Sequence, residues 1–85
     1  MKSKFYNTDY EEQESIINID YSKKQLYLYS NRKAVCDRII SKIGEPTKKY
    51  YSNNKISGVS WIIPFENKKA ITAVLSRPTL IGNMK

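Results

Sequence analysis

The chain has 85 residues, a net charge of +7, no histidine, one cysteine and three glycines. Such a length supports one domain that buries only about 60–65% of its unfolded surface, so the core must be lean. Without histidine and with a single thiol, zinc sites are effectively excluded and the commonest general base is missing. Gly44, Gly58 and Gly82 stand too far apart to build a phosphate-cradling loop, so nucleotide hydrolysis is not expected.

The charge is unevenly placed. Residues 1–20 hold Asp9, Glu11, Glu12, Glu14 and Asp20 against Lys2 and Lys4, a net of −3, which leaves +10 on residues 21–85. A basic body suits a polyanionic partner, either nucleic acid or an acidic protein surface. The abundance of Lys, Ile, Asn and Tyr is also what an AT-rich gene yields without selection for charge, and the two explanations weigh about equally.

Residues 1–14 show no apolar period, and although Thr8-Asp9-Tyr10-Glu11 has capping-box spacing, no helical stripe follows it. They read as a loosely ordered acidic arm ahead of a single domain over 15–85, able to contact a basic partner or to neutralise the protein's own lysines. Ser15–Tyr21 alternates, with Ile17, Ile19 and Tyr21 on one face and Ile16, Asn18 and Asp20 on the other. Gln25–Tyr29 alternates too, Leu26 and Leu28 against Tyr27 and Tyr29, and the link Ser22-Lys23-Lys24 makes the two a hairpin.

Asn31–Gly44 is the only well-bounded helical stretch in the first half. Val35, Cys36, Ile39, Ile40 and Ile43 share one face, Ser30 or Asn31 can cap the start, and Gly44 with Pro46 beyond it marks the stop. Cys36 lies on the apolar stripe and reads as a buried, inert thiol, usage that fits a reducing compartment. Thr47–Tyr51 and Ile56–Phe65 return to strand around an Asn53-Asn54 turn, since asparagine tolerates positive φ.

In the last strand Val59, Trp61, Ile63 and Phe65 point one way, expected to be core, with Ile56 and Ile62 the other way. Pro64 ends the sheet. Asn67 then caps a short helix, Lys68–Ser76, with Ile71, Val74 and Leu75 as its stripe, and Thr79–Lys85 reads as a tail anchored by Leu80 and Ile81. The order predicts an α+β fold, a small two-layer domain of strand-strand-helix-strand-strand-helix with an antiparallel sheet.

Two constellations could carry function. Glu66-Asn67-Lys68 has the spacing of the Glu-x-Lys half of a metal-dependent nuclease site, but residues 46–65 offer no second acid, so a helix-capping loop is the expectation. The stronger candidate is a binding surface. Tyr27 and Tyr29 lie opposite the leucine face, Tyr50 or Tyr51 joins them, and Lys48, Lys49 and Lys55 are close in sequence. Rings flanked by cations on a sheet hold single-stranded nucleic acid by stacking, whereas a second helix over that face would turn the same rings into core. The partner-binding set is thus Tyr27, Tyr29, Lys48, Lys49, Tyr50 and Lys55, with no catalytic residue, metal or cofactor.

The succession of Glu11-Glu12-Gln13-Glu14, the hairpin Ile16–Tyr29, the helix ending Ile43-Gly44-Glu45-Pro46, and Ser60-Trp61-Ile62-Ile63-Pro64-Phe65 resembles short proteins encoded by phages and mobile elements of low-GC Gram-positive bacteria. The resemblance covers most of residues 10–81 and contains no catalytic signature. Proteins of that setting include anti-CRISPR and related anti-defence inhibitors, which act mainly by binding. The resemblance therefore implies a non-enzymatic inhibitor that binds a host defence protein or ribonucleoprotein, such as an RNA-guided nuclease, on protein acids or on the guide and target backbone. Many such inhibitors are acidic DNA mimics, a mechanism that +7 argues against. A small nucleic-acid-binding accessory protein is the alternative, and a nuclease built on Glu66 and Lys68 comes last. The N-terminus lacks a signal peptide's apolar core and the longest apolar run is too short to span a membrane, so the expected setting is the host cytoplasm, as monomer or homodimer.

Overall fold

The computed structural model describes residue 5 and residues 9–81. A single 3-10 turn, Tyr10–Glu12, precedes β1 (Ser15–Asp20) and β2 (Gln25–Ser30). They are followed by α1 (Lys33–Ile43), β3 (Lys48–Ser52), β4 (Lys55–Pro64), α2 (Lys68–Leu75) and α3 (Arg77–Leu80). The four strands form one antiparallel sheet in the order β1-β2-β4-β3, and the helices lie against one of its faces, the α+β arrangement expected from the periodicities.

Both hairpins close as their turn residues dictate. Asn53 and Asn54 stand at φ 52° and 66°, which gives the two-residue turn whose twist matches the strands, and Ser52 pairs with Lys55 across it. In the first hairpin Lys24 takes φ 52°, and the Asp20 carboxylate accepts from the Lys23 amide at 3.0 Å. The central pairing, Leu26 with Ile63, Leu28 with Trp61 and Ser30 with Val59, puts these side chains on the helix side. There they pack with Val35, Cys36 and Ile39 of α1 and Ala70 and Val74 of α2. The Trp61 indole N–H donates to the Gly44 carbonyl at 3.1 Å, which ties the last turn of α1 to the middle of the sheet. Gly44 itself sits at φ 99°, a conformation that demands glycine, and its amide closes the helix on the Ile40 carbonyl.

Several details depart from the sequence reading. Helix α1 starts at Lys33 behind Arg32, and no side chain caps it. Asn31 is used elsewhere: its Oδ1 accepts from the Glu14 amide at 2.6 Å and its Nδ2 donates to the Glu12 carbonyl at 3.0 Å, pinning the end of the acidic segment to β2. Ser30 is equally engaged, its Oγ accepting from Ser15 Oγ and from the Arg32 amide.

Ile56, expected opposite the tryptophan face, is fully buried in the core. The cause is a bulge: Tyr50 pairs with Gly58 but Tyr51 with Ile56, so Ser57 is the extra residue and the alternation reverses across it. Phe65 lies past the strand and is only half-buried, with its ring edge-on to Tyr21 at 6.2 Å. On α2 the buried residues are Ala70 and Val74 while Leu75 is exposed, and the expected tail contains α3. Thr79 of α3 is fully buried, donating to the Ala73 carbonyl at 2.7 Å and accepting from the Arg38 Nε at 3.0 Å. Leu80 packs on the core, whereas Ile81 is exposed and residues 82–85 lie outside the described ones. Ahead of the 3-10 turn, Phe5 bridges Ile56 in parallel and packs against the core.

Candidate binding face

The face of the sheet away from the helices is built by the residues that alternate with the core. The pairings place them in rows: Gly58 beside Tyr50; then Ile16, Tyr29, Ser60 and Lys48; then Asn18, Tyr27 and Ile62. Ile16 and Ile62 are 46% and 45% exposed, and the three tyrosines are half-buried against one another and the sheet. No described helix lies over them.

Gly58 explains how the rings sit. A Cβ at this position would meet the Tyr29 hydroxyl at 2.6 Å and two of its ring carbons at 2.8 and 2.9 Å, closer than real Cβ atoms approach. Glycine therefore gives the outer end of the Tyr29 ring its seat directly on the backbone of β4. Tyr50 packs edge-on against Tyr29, centroids 5.8 Å apart at 65°, and the Lys48 ammonium lies 5.0 Å from the centre of the Tyr50 ring. The Tyr27 and Tyr50 hydroxyls and Ser60 lie near enough to influence one another's ionisation. Through the influence of the Tyr50 hydroxyl, with burial adding to the effect, Tyr27 ionises above the ordinary phenol value. Tyr50 ionises below it, first through the influence of the Tyr27 hydroxyl, then of Ser60 and of the Lys48 charge. Burial, reinforced by the Glu14 charge, also pushes Tyr29 up. The cluster is thus a row of three rings over a glycine and a buried serine, with a cation at one end.

Of the residues expected to bind a partner, Tyr27, Tyr29, Tyr50 and Lys48 come together on this face. Lys49 does not: it pairs with Val59 on the helix side, and its Nζ sits 3.5 Å from a Glu45 carboxylate oxygen. Lys55 is exposed at the hairpin end, where the alternation from Ile56 sets it on the Tyr50 side. Tyr51 is on the helix side and 57% exposed. The three-lysine patch around Tyr50 therefore reduces to Lys48, with Lys55 at the tip. Sequence reasoning missed Gly58 and Ser60 as parts of the site; the one available signal was a Gly inside an otherwise apolar strand, which marks close approach of another group.

The Glu66-Asn67-Lys68 stretch opens α2. In Glu66-Asn67-Lys68 the Asn67 Oδ1 accepts from the Ala70 amide at 3.2 Å, a helix cap, while the Lys68 amide donates to the Glu66 carbonyl. A shallow cavity of about 410 Å³ beside it is lined by Lys23, Lys24, Pro64, Phe65 and Glu66. Among the described residues no group of three acidic or thiol side chains is placed to hold a metal ion. The Cys36 thiol is buried on α1 and pushed up to about 11, mainly by desolvation, so it is not primed as a nucleophile. Among the described residues no helix is long and apolar enough to cross a membrane. No family model matches the chain, and no curated protein or solved structure shows significant similarity to it.

Proposed function

We propose that the chain is a non-enzymatic binding protein that holds single-stranded nucleic acid on the open face of its sheet. In the role implied by the resemblance, the strand is the guide or target backbone of a host RNA-guided defence complex. The protein then inhibits by occupying that strand without cutting it. The observation that carries the reading is the fixed row of Tyr27, Tyr29 and Tyr50, flanked by Lys48, on a sheet face that no described helix covers. Each ring offers a base a sequence-independent stacking partner worth about 1–3 kcal/mol, and the cation meets the backbone. Ile16 and Ile62 border the rings and supply apolar contact to the protein part of such a complex. Under the alternative, an accessory protein with no dedicated protein target, the same face acts on free strands alone.

Fluorescence anisotropy of a labelled oligonucleotide, with and without a captured host complex, tests both. Affinity should fall with salt, and Lys48→Ala should reduce the slope of log affinity against log salt by roughly 0.7, the increment for one single-strand phosphate contact. Binding that requires the complex favours the inhibitor; equal binding of free strands favours the accessory protein. No binding to either at low salt removes the nucleic-acid reading, and cleavage of the oligonucleotide in magnesium removes the non-enzymatic one.

A further inference from the structure

The two edges of the sheet are unlike. At one edge β3 is five residues long, carries Lys48 and Lys49, and faces the bulge at Ser57. These are devices that keep an edge strand from pairing with another chain. At the other edge β1 is paired without a bulge, and its single charge, Asp20, stands at its end. Its first five residues, Ser15 to Ile19, are uncharged in a chain of which 27% is charged, and they are paired regularly with β2. Ile16 and Ile19 are 46% and 44% exposed, one on each face, and among the described residues no strand pairs with the outer side of β1.

We propose that β1 is the interface for a second copy of this chain, the two β1 strands pairing antiparallel about a two-fold axis through Asn18 to make one continuous eight-stranded sheet. The axis stands normal to the sheet, so side chains opposite each other share a face. Ile17 of each copy then meets Ile19 of the other on the helix side, and Asn18 meets its own counterpart. The flanks decide for a second copy over a foreign strand. β1 is preceded by the exposed Glu12 and Glu14 and followed by the exposed Lys23 and Lys24. Antiparallel pairing in this register lays Glu12, Gln13 and Glu14 alongside Lys24, Lys23 and Ser22 of the second copy, twice by symmetry. The flanks thus set opposite charges together, Glu12 opposite Lys24 and Glu14 next to Lys23. Both tyrosine faces fall on the same side of the joined sheet. The proposal does not depend on what those faces bind.

Sedimentation equilibrium on the full chain reads the outcome directly. The wild type should approach twice its 9.9 kDa. Asn18→Lys, an exposed position on the axis, should weaken association roughly tenfold by setting like charges opposite each other. The chains Glu12→Lys/Glu14→Lys and Lys23→Glu/Lys24→Glu should each weaken self-association comparably, and an equimolar mixture of the two should regain the wild-type constant, because only the mixed pair restores both sets of opposite charges. Circular dichroism confirms that each variant is folded. A wild type that stays at 9.9 kDa at about 100 μM, a folded Asn18→Lys that associates as before, or a mixture that does not recover would each overturn the proposal.

Discussion

The two faces of this sheet are made by neighbouring residues of the same strands, yet they obey different rules. On the helix side Leu26, Leu28, Val59, Trp61 and Ile63 are at most 3% exposed, and their packing with α1 and α2 sets the stability of the fold. One residue along, Tyr27, Tyr29, Gly58, Ser60 and Ile62 form a surface with rings and hydroxyls in place of aliphatic groups. Tyrosine suits an exposed strand, so its presence there alone says little. What separates the open face from ordinary surface is the order imposed on it. Tyr29 is seated on a glycine, Tyr50 packs edge-on against Tyr29, and Lys48 lies over the Tyr50 ring. Side chains already held in place lose less entropy when a ligand arrives, which is how a surface becomes a site.

Substitutions on the two faces should therefore separate stability from binding. The largest effect is expected at Trp61→Ala, which empties the centre of the core and deletes the hydrogen bond to the Gly44 carbonyl. Urea denaturation should show a loss of about 3–5 kcal/mol, most of the stability of a domain this small. An unchanged midpoint would mean that the helix side is not what holds the protein together. Next is Gly58→Ala, where the added methyl drives the Tyr29 ring from its seat. The expected cost is about 1–3 kcal/mol, and Tyr29→Ala in the same chain should recover part of it, a coupling that a double-mutant cycle measures directly.

Smaller still is a titration effect confined to the open face. Since Tyr50 ionises below the ordinary phenol value and Tyr27 above it, the first phenolate on raising the pH should form at Tyr50. Relative to the unfolded chain, the lowered Tyr50 value adds stability as the pH rises through its folded pKa, and the raised Tyr27 value removes stability as the pH passes from the ordinary value toward its own. A phenolate there repels phosphate, so affinity for a strand should begin to fall below pH 10. Tyr50→Phe should abolish the early ultraviolet phenolate signal and bring Tyr27 back toward its ordinary value; a first phenolate that persists in that variant belongs elsewhere. The smallest change is expected at Lys49→Ala, whose surface ion pair with Glu45 contributes about 0–1 kcal/mol and whose side chain is on the wrong face to touch a ligand of Tyr50. Loss of binding in that variant would move the site to the helix side.

The strand order of hydrophobicity made the fold readable: alternation in β1, β2 and β4 and the stripe of α1 need no tertiary information, and the Asn53-Asn54 turn carries its own geometry. What the sequence did not show were effects that arise between elements. Ile56 reaches the core because a bulge at Ser57, beside Gly58, reverses the alternation, and its position follows from the pairing with β3. Asn31 looked like a helix cap but is claimed by the Glu12 and Glu14 backbone, 19 and 17 residues earlier in the chain. The tyrosines of the candidate site were legible as one face of β2. That Tyr50 rather than Tyr51 joins them, and Lys48 rather than Lys49, depended on which residue of β3 stands opposite Gly58, a register that only the paired sheet defines.

The central claim is that a single strand of nucleic acid lies across Tyr27, Tyr29 and Tyr50. The tyrosines themselves report on it, because Tyr21 and Tyr51 are more exposed than any of the three and lie off this face. Aromatic carbon-proton correlation spectra recorded while an oligonucleotide is titrated in should show the resonances of Tyr27, Tyr29 and Tyr50 shifting together and saturating, with those of Tyr21 and Tyr51 unmoved. Shifts led by Tyr21 or Tyr51, or no aromatic shift at saturating oligonucleotide, would contradict it.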